Sequence, residues 1–508
     1  MNIGRLYRTI RWLKPRQLWY QIWRRVQRRW ELRWLATTTR DKKRDSRGLA
    51  LTTTGEERSE DFDSAERALP MFTFLNLTAT PNGWNDPALD LLWRYNLHYF
   101  DFLDAIASSA RALIERWIAE NPRGSAPGWD PYPTSLRITN WVKWLSRNEP
   151  TEHLCASLAE QVVWLERHLE WHLLANHLLA NLKALILGNR CLGRDDSRWL
   201  RLYRGQLDEQ VLPDGGHFER SVMYHAIILE DVLDVMRFCG ADADGLKPIA
   251  ARMLSYLVNL TGPDGKIALF NDAADGIAKP TAWLRNVARA RSVESIDAAA
   301  FADFPQTGYV RLTAGDFVLF VDAAPIGPDY QPGHAHADTL TYELYYRGRK
   351  VVTDPGTSEY RGKRRAFERG TAAHNVVEVD GRDSSEVWSS HRVGARARIV
   401  AREVGPERVF AAHDGYGFPV GREFRLSPNG LTVVEKVSGA GDCVTRVHLT
   451  PAFADSGLAL GGALGDGQER TDEDFEFAVA FGKLEKGRCV AKRFGGGEID
   501  YTIRKADA

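Results

Sequence analysis

The chemistry in this sequence is concentrated in a few short segments. The sharpest is Gly333-His334-Ala335-His336-Ala337-Asp338, followed by Asp354-Pro355-Gly356 and then Ala373-His374-Asn375. On an extended strand successive side chains alternate, so His334 and His336 point to one face. Two imidazoles so spaced can chelate one metal ion, with a carboxylate and a third histidine completing a tetrahedral set. Alternatively they divide the labour, one holding metal and the other handling protons. The plainer reading is two polar histidines at a strand edge.

Three upstream segments add candidates. Asn176 and His177 interrupt an otherwise apolar helical run, Leu174 to Asn181. A buried amide left without a partner costs about 1–3 kcal/mol, so something must satisfy it, and a helix-to-helix hydrogen bond would serve. From Asp214-Gly215-Gly216 to Tyr224-His225 a Gly-rich turn leads into a helix, on which Arg220 and Tyr224, four apart, share a face. A cation about 6 Å from a phenol favours the phenolate and makes it a better base. The competing reading of Tyr224 is an amphipathic core residue. Arg137 and Trp141, one helical turn apart, either bind a sugar carboxylate and ring or make a cation–π contact inside the fold.

The elements that must position these groups change character once. From about residue 85 to 300 the spacing is helical, as in Leu154, Leu158, Val162, Leu165 and Leu169. Turn signals such as Pro213-Asp214-Gly215 and Pro263-Asp264-Gly265 separate the helices. That pattern predicts successive helical hairpins in a layered or toroidal array. After about 305 the period is two, in 317–321, 339–345, 375–379, 431–437 and 475–481, with turns and no helices between. This half is expected to be an antiparallel sandwich. The expected organisation is a basic arm and linker over 1–66, a helical domain over 67–304 and a β domain over 305–508.

Composition narrows the classes. The chain has 508 residues, with Lys+Arg and Asp+Glu equal at 67 each, so as a whole it is no basic nucleic-acid binder. The balance hides an arm. Met1 to Ala50 carries 12 Arg and 3 Lys against Glu31, Asp41 and Asp45, a net +12. Trp12, Trp19, Trp23, Trp30 and Trp34 are interleaved with those arginines. Such a helix can lie on an anionic membrane surface, contact an acidic polymer, or pack its Trp face on the protein body. No apolar run reaches about 18 residues, and Arg5, Arg8, Arg11 and Lys14 break any secretory h-region. Five scattered cysteines without CxxC spacing argue against a disulfide framework or a thiolate zinc site.

Taken in order, Asn176-His177, Tyr224 within its Asp-Gly-Gly…Tyr-His segment, His334-Ala-His336-Ala-Asp338, Asp354-Pro-Gly and His374-Asn resemble the heparinase II/III-like polysaccharide lyases. The resemblance spans roughly residues 70–450. It implies an α/α toroid followed by an antiparallel β-sandwich, and β-elimination of an acidic, uronic-acid-containing polysaccharide. By resemblance Asn176, with His177, neutralises the uronate carboxylate, while Tyr224 and His334 serve as base and acid. Arg137, Trp141 and Arg220 are expected to contact substrate. His336, Asp354 and His374 are expected to hold a structural zinc. The family implies a periplasmic or envelope location, although no signal peptide is seen. Two rival readings stand beside it. A metal-dependent hydrolase also uses H-x-H-x-D, but usually with a further His directly after the Asp, where Thr339 stands here. A non-catalytic glycan-binding protein of an exopolysaccharide pathway would keep the fold without turnover.

Overall fold

Leu154, Leu158, Val162 and Leu165 become the buried face of the Glu152–Arg167 helix, whose first turn is capped by the Thr151 hydroxyl. The computed structural model describes residues 3–27, 69–466 and 468–506. Trp30, Trp34 and the 36–66 stretch expected as a linker lie outside the described residues. The chain divides into two compact units, one of residues 13–74 and 78–192, the other of 1–12, 75–77 and 193–508.

The first unit is helical. Leu91–Tyr99, Ala110–Glu120, Pro131–Leu145 and Glu152–Arg167 are followed by Ala175–Cys191, which is buried from Ala175 to Asn189 except at His177. A helix apolar on nearly all sides belongs in a core. Close packing shows at Gly188, where a Cβ would come within 2.6 Å of the Val162 side chain. Much of the tryptophan goes into this core: Trp117 meets both Trp129 and Trp141, and Phe100 packs edge-on against Trp141.

In the second unit the helices Ser197–Gln210, Val222–Cys239, Lys247–Asn259 and Thr281–Arg289 precede the strands of the two large sheets, which begin at Phe301. One sheet runs in the order Thr471–Ala480, Lys483–Phe494, Cys443–Leu449, Arg349–Val352, Tyr342–Tyr346, Phe317–Asp322, Tyr309–Ala314, Phe301–Phe304. Val377–Val379 also pairs with Cys443–Leu449. The other sheet runs Ile399–Val404, Arg408–His413, Val420–Ser427, Gly430–Val437, Gly497–Lys505, Leu458–Gly462. The pairings are antiparallel. Leu312, Leu319, Val321 and Leu344 of the first sheet and Val409, Phe424, Val433 and Ile503 of the second share one core, which makes the pair a sandwich.

Three local expectations change, the first being that the helix Gly362–Glu368 interrupts the β half, where only turns were expected. The strand expected over 339–345 starts only at Tyr342, because Leu340 takes a positive φ of 77°. His334 and His336 therefore sit in a loop, not on a strand. All five cysteines are free thiols.

Candidate active site

The His334–His336 loop is shaped by backbone bonds. Arg369 donates twice to the Ala335 carbonyl, at 3.1 and 3.0 Å, and the Ala337 amide donates to the Arg369 carbonyl. On the facing segment the apolar run Ile267 to Phe270 ends at Asn271, whose left-handed φ of 58° a short polar side chain tolerates. Asn271 Oδ1 takes the His336 amide, and its Nδ2 donates to the Tyr309 hydroxyl. This fixes the next residue, Asp272, beneath both histidines.

Asp272 is the hub, fully buried, with Nδ1 of His334 at 2.8 Å from Oδ2 and Nε2 of His336 at 2.8 Å from Oδ1. Arg365 reaches both carboxylate oxygens, and Thr357 donates to Oδ1. Burial by itself would raise this carboxyl, but Arg365 and the two imidazole hydrogen bonds hold it well below the usual carboxylate range. An ionised carboxylate only accepts, so His334 must carry its proton on Nδ1. Nε2 is then the ring nitrogen able to accept a proton. The sequence reading missed Asp272. Its signal was modest: an Asn-Asp pair closing an apolar run.

Tyr224 and His334 are brought together, with ring centroids 3.9 Å apart and planes tilted by 30°. Tyr224 projects from the first turn of Val222–Cys239, a helix capped by Ser221, whose Oγ accepts from the Tyr224 amide. The Tyr224 hydroxyl is 2.9 Å from that of Tyr360. Arg365 lies over the Tyr360 ring, and His391 is 6.4 Å from His334, ring to ring. Neither Tyr360 nor His391 was singled out from the sequence.

Beneath this pair lies a donor group for a metal. His336, Asp338 and His374 each offer one ligand atom, all within 4.8 Å of one another, and all three residues are buried. His336 Nδ1 and His374 Nε2 are buried with no hydrogen-bond partner. Each ring's other nitrogen is held by a carboxylate, His336 by Asp272 and His374 by Asp354 at 2.9 Å. Histidines that ligate metal are typically oriented this way from behind. The residues therefore fit a divalent ion held by two nitrogens and one carboxylate. Asp354, expected as a ligand, gives Oδ2 to His374 and Thr341 and keeps Oδ1 buried without a hydrogen-bond partner, while Asp338 is the carboxylate grouped with the two imidazoles.

Asn176 and His177 lie in the first unit, at the start of the Ala175–Cys191 helix. Leu174 and Ala175 both have positive φ, 64° and 49°, a strained entry that packing must hold. Nδ1 of His177 is 3.2 Å from the buried Glu170, and its ring packs on Tyr132. Burial would raise Glu170, but His177, the Asn181 amide and Arg24 together bring it below its ordinary value. Asn176 is 5% exposed.

Three expected substrate contacts are corrected. Arg137 is fully buried in the first unit, donating to Gln161 at 2.8 Å and to the Gly128 carbonyl at 2.7 Å, over the Trp117 ring at 3.8 Å. Trp141 is buried beside it in the aromatic core. A cation and an indole one turn apart look the same in a core as in a cleft. Arg220 precedes its helix, with φ 58°, and donates to the carbonyls of Thr307, Gln306 and Phe218. It braces a turn and makes no pair with Tyr224.

Residues 117–295 match the Heparinase II/III N-terminus family and residues 297–499 the Heparinase II/III-like, C-terminal family. A heparin-sulfate lyase of Bacteroides thetaiotaomicron is 23% identical over 332 residues, 53% of this chain and 47% of that protein. FtsZ-localized protein C of Caulobacter vibrioides is 23% identical over 354 residues, 63% of this chain and 60% of that one. The chain thus spans about half the length of the curated relatives it matches. Among solved structures, heparinase III superposes with a TM-score of 0.63 at 15% identity, covering 82% of this chain and 76% of that one. A mutant of the heparan sulfate lyase HepC from Pedobacter heparinus gives 0.60 at 15%, covering 90% and 85%. These likenesses show the expected fold class, an α/α toroid followed by an antiparallel β-sandwich. With helical and β regions each matched in sequence by the corresponding part of one family, the chain belongs to the heparinase II/III-like family.

Proposed function

We propose that this chain cleaves a uronic-acid-containing acidic polysaccharide by β-elimination. The supporting observation is the close, tilted Tyr224–His334 ring pair, with His334 Nδ1 tied to Asp272. Elimination needs a base for the C5 proton and an acid for the departing 4-oxygen, and a phenol beside an imidazole of fixed tautomer supplies both. The C5 proton is not acidic until the uronate carboxylate is neutralised. The family resemblance assigns to Asn176, with His177, the donation to that carboxylate and to the enolate-like intermediate. Which of Tyr224 and His334 takes the proton depends on the epimer of the uronate.

His336, Asp338 and His374 would hold zinc, whose role is to tie the loops together, with Asp272 and Asp354 orienting the imidazoles. Asp272 then links the two functions, since one carboxylate fixes the proton-handling ring and a metal-binding ring. Relatives named as heparin-sulfate lyases make heparan sulfate the first substrate to try. The test is a screen against heparan sulfate, hyaluronan and alginate, read by the ultraviolet absorbance of the unsaturated uronate. Tyr224→Phe, His334→Ala and Asn176→Ala should each lower turnover by about 10²-fold or more. Full activity in any folded variant removes that residue's role.

A further inference from the structure

The helix over 15–27 packs Tyr20 on Trp171 yet, unlike an ordinary surface helix, exposes a stripe of large apolar side chains. Three of its polar residues, Gln17, Arg24 and Gln27, face the protein, while Arg16, Gln21 and Arg25 are exposed. Gln17 is 1% exposed, Arg24 Nη1 meets His172 Nε2 at 2.9 Å, and Gln27 donates to the Arg167 carbonyl. Its apolar residues face out, with Trp19 63%, Ile22 60% and Trp23 47% exposed, flanked by Leu18 and Val26. Positions 18, 19, 22, 23 and 26 form one stripe along a helix. An apolar face of this kind marks a contact made outside the protein's own core.

We infer that this face seats on the surface of an anionic lipid bilayer. Residues 14–27 carry Lys14, Arg16, Arg24 and Arg25 and no acidic residue. A second copy of the helix would meet like charge, whereas anionic headgroups offer the opposite. An acidic polymer in solution would answer the arginines but leave Trp19, Ile22 and Trp23 in water. Indole suits the boundary between headgroups and acyl chains, where its ring is in an apolar layer and its N–H in a wet one. The sequence repeats the device. Trp19, Trp23, Trp30 and Trp34 recur at intervals of four, seven and four, with Arg28, Arg29 and Arg33 among the later ones. Among the described residues no helix is long and apolar enough to cross a membrane, so the contact is interfacial.

The experiment is flotation of the full-length protein with phosphatidylcholine vesicles, with and without phosphatidylglycerol. The wild type should float with the anionic vesicles only and be released by salt. Trp19→Gln combined with Trp23→Gln, and separately Arg25→Glu, should each weaken partitioning by about tenfold or more, with folding and polysaccharide cleavage unchanged. Flotation of the variants equal to wild type would overturn the inference, as would no flotation of the wild type. A wild-type dimer that the tryptophan double variant disperses would instead assign the face to a second copy.

Discussion

Asp272→Asn is the perturbation that most sharply separates a positioned imidazole from a merely adjacent one. The carboxylate accepts at both oxygens, from His334 on one side, His336 on the other and Arg365 on both. An asparagine offers one acceptor oxygen and one donating amide. With the amide toward His334, the ring must shift its proton to Nε2 and lose the tautomer that elimination uses. With the amide toward His336, a donor meets the donors of His336 and Arg365. A wrong tautomer in a comparable Asp–His arrangement costs about 10⁴ in rate, so a loss of about 10³–10⁴ is expected, equal to about 4–5 kcal/mol of barrier. Leaving the buried Arg365 without its counter-charge should also cost about 3–5 kcal/mol of stability. The assay is the initial rate of unsaturated-uronate formation per folded protein, beside a thermal melt. In a His334→Ala background, adding Asp272→Asn should have little further effect on rate, because the two act as one unit. A folded Asp272→Asn enzyme with a near wild-type rate would refute the reasoning.

Three further outcomes are expected. Arg137→Met leaves Gln161 Oε1 without its donor and the Gly128 carbonyl with only the long Thr134 bond, and should destabilise the protein by about 2–5 kcal/mol, with KM unchanged in the folded fraction; a raised KM would return Arg137 to the substrate. Burial and the neighbouring Arg137 hold His98 down at about 3. Between that value and the ordinary 6.5 the unfolded chain binds the extra proton, so this stabilisation is lost as pH falls below 6.5, by about 2 kcal/mol at pH 5. Urea melts of His98→Gln should show a correspondingly shallower loss between pH 7 and pH 5. Chelation should remove one equivalent of zinc and lower the melting temperature. Asp338→Asn should abolish metal binding, whereas Asp354→Asn should weaken it by about 10–100-fold; equal effects would blur the division between ligand and orienting group.

The sequence carried the architecture well because periodicity is a local signal. Helical spacing ends and strand spacing begins near 300, and apart from a short hairpin at Phe72–Phe74 and Leu77–Ala79 the strands do begin at Phe301. His334, His336 and His374 were legible because two imidazoles two residues apart are rare without a purpose. Asp272 was not, because its role comes from residues 62 to 93 positions away along the chain. Asp338 and Asp354 are both acidic residues in the right neighbourhood. Only the fold decides that one meets the imidazoles and the other stands behind His374. Arg137 and Trp141 misled for a different reason: nothing local tells a buried guanidinium, satisfied by carbonyls and an amide, from one waiting for a sugar. Arg220 was placed on a helix face by spacing, but that helix begins only at Val222.

The most direct test of the lyase account is to digest the preferred polysaccharide in heavy-oxygen water and weigh the new chain ends. Elimination breaks the bond without adding water, so the products should be unsaturated at the new non-reducing end and carry no label from bond cleavage. New ends that are saturated and labelled would mean that Tyr224 and His334 serve hydrolysis, and the account would fail.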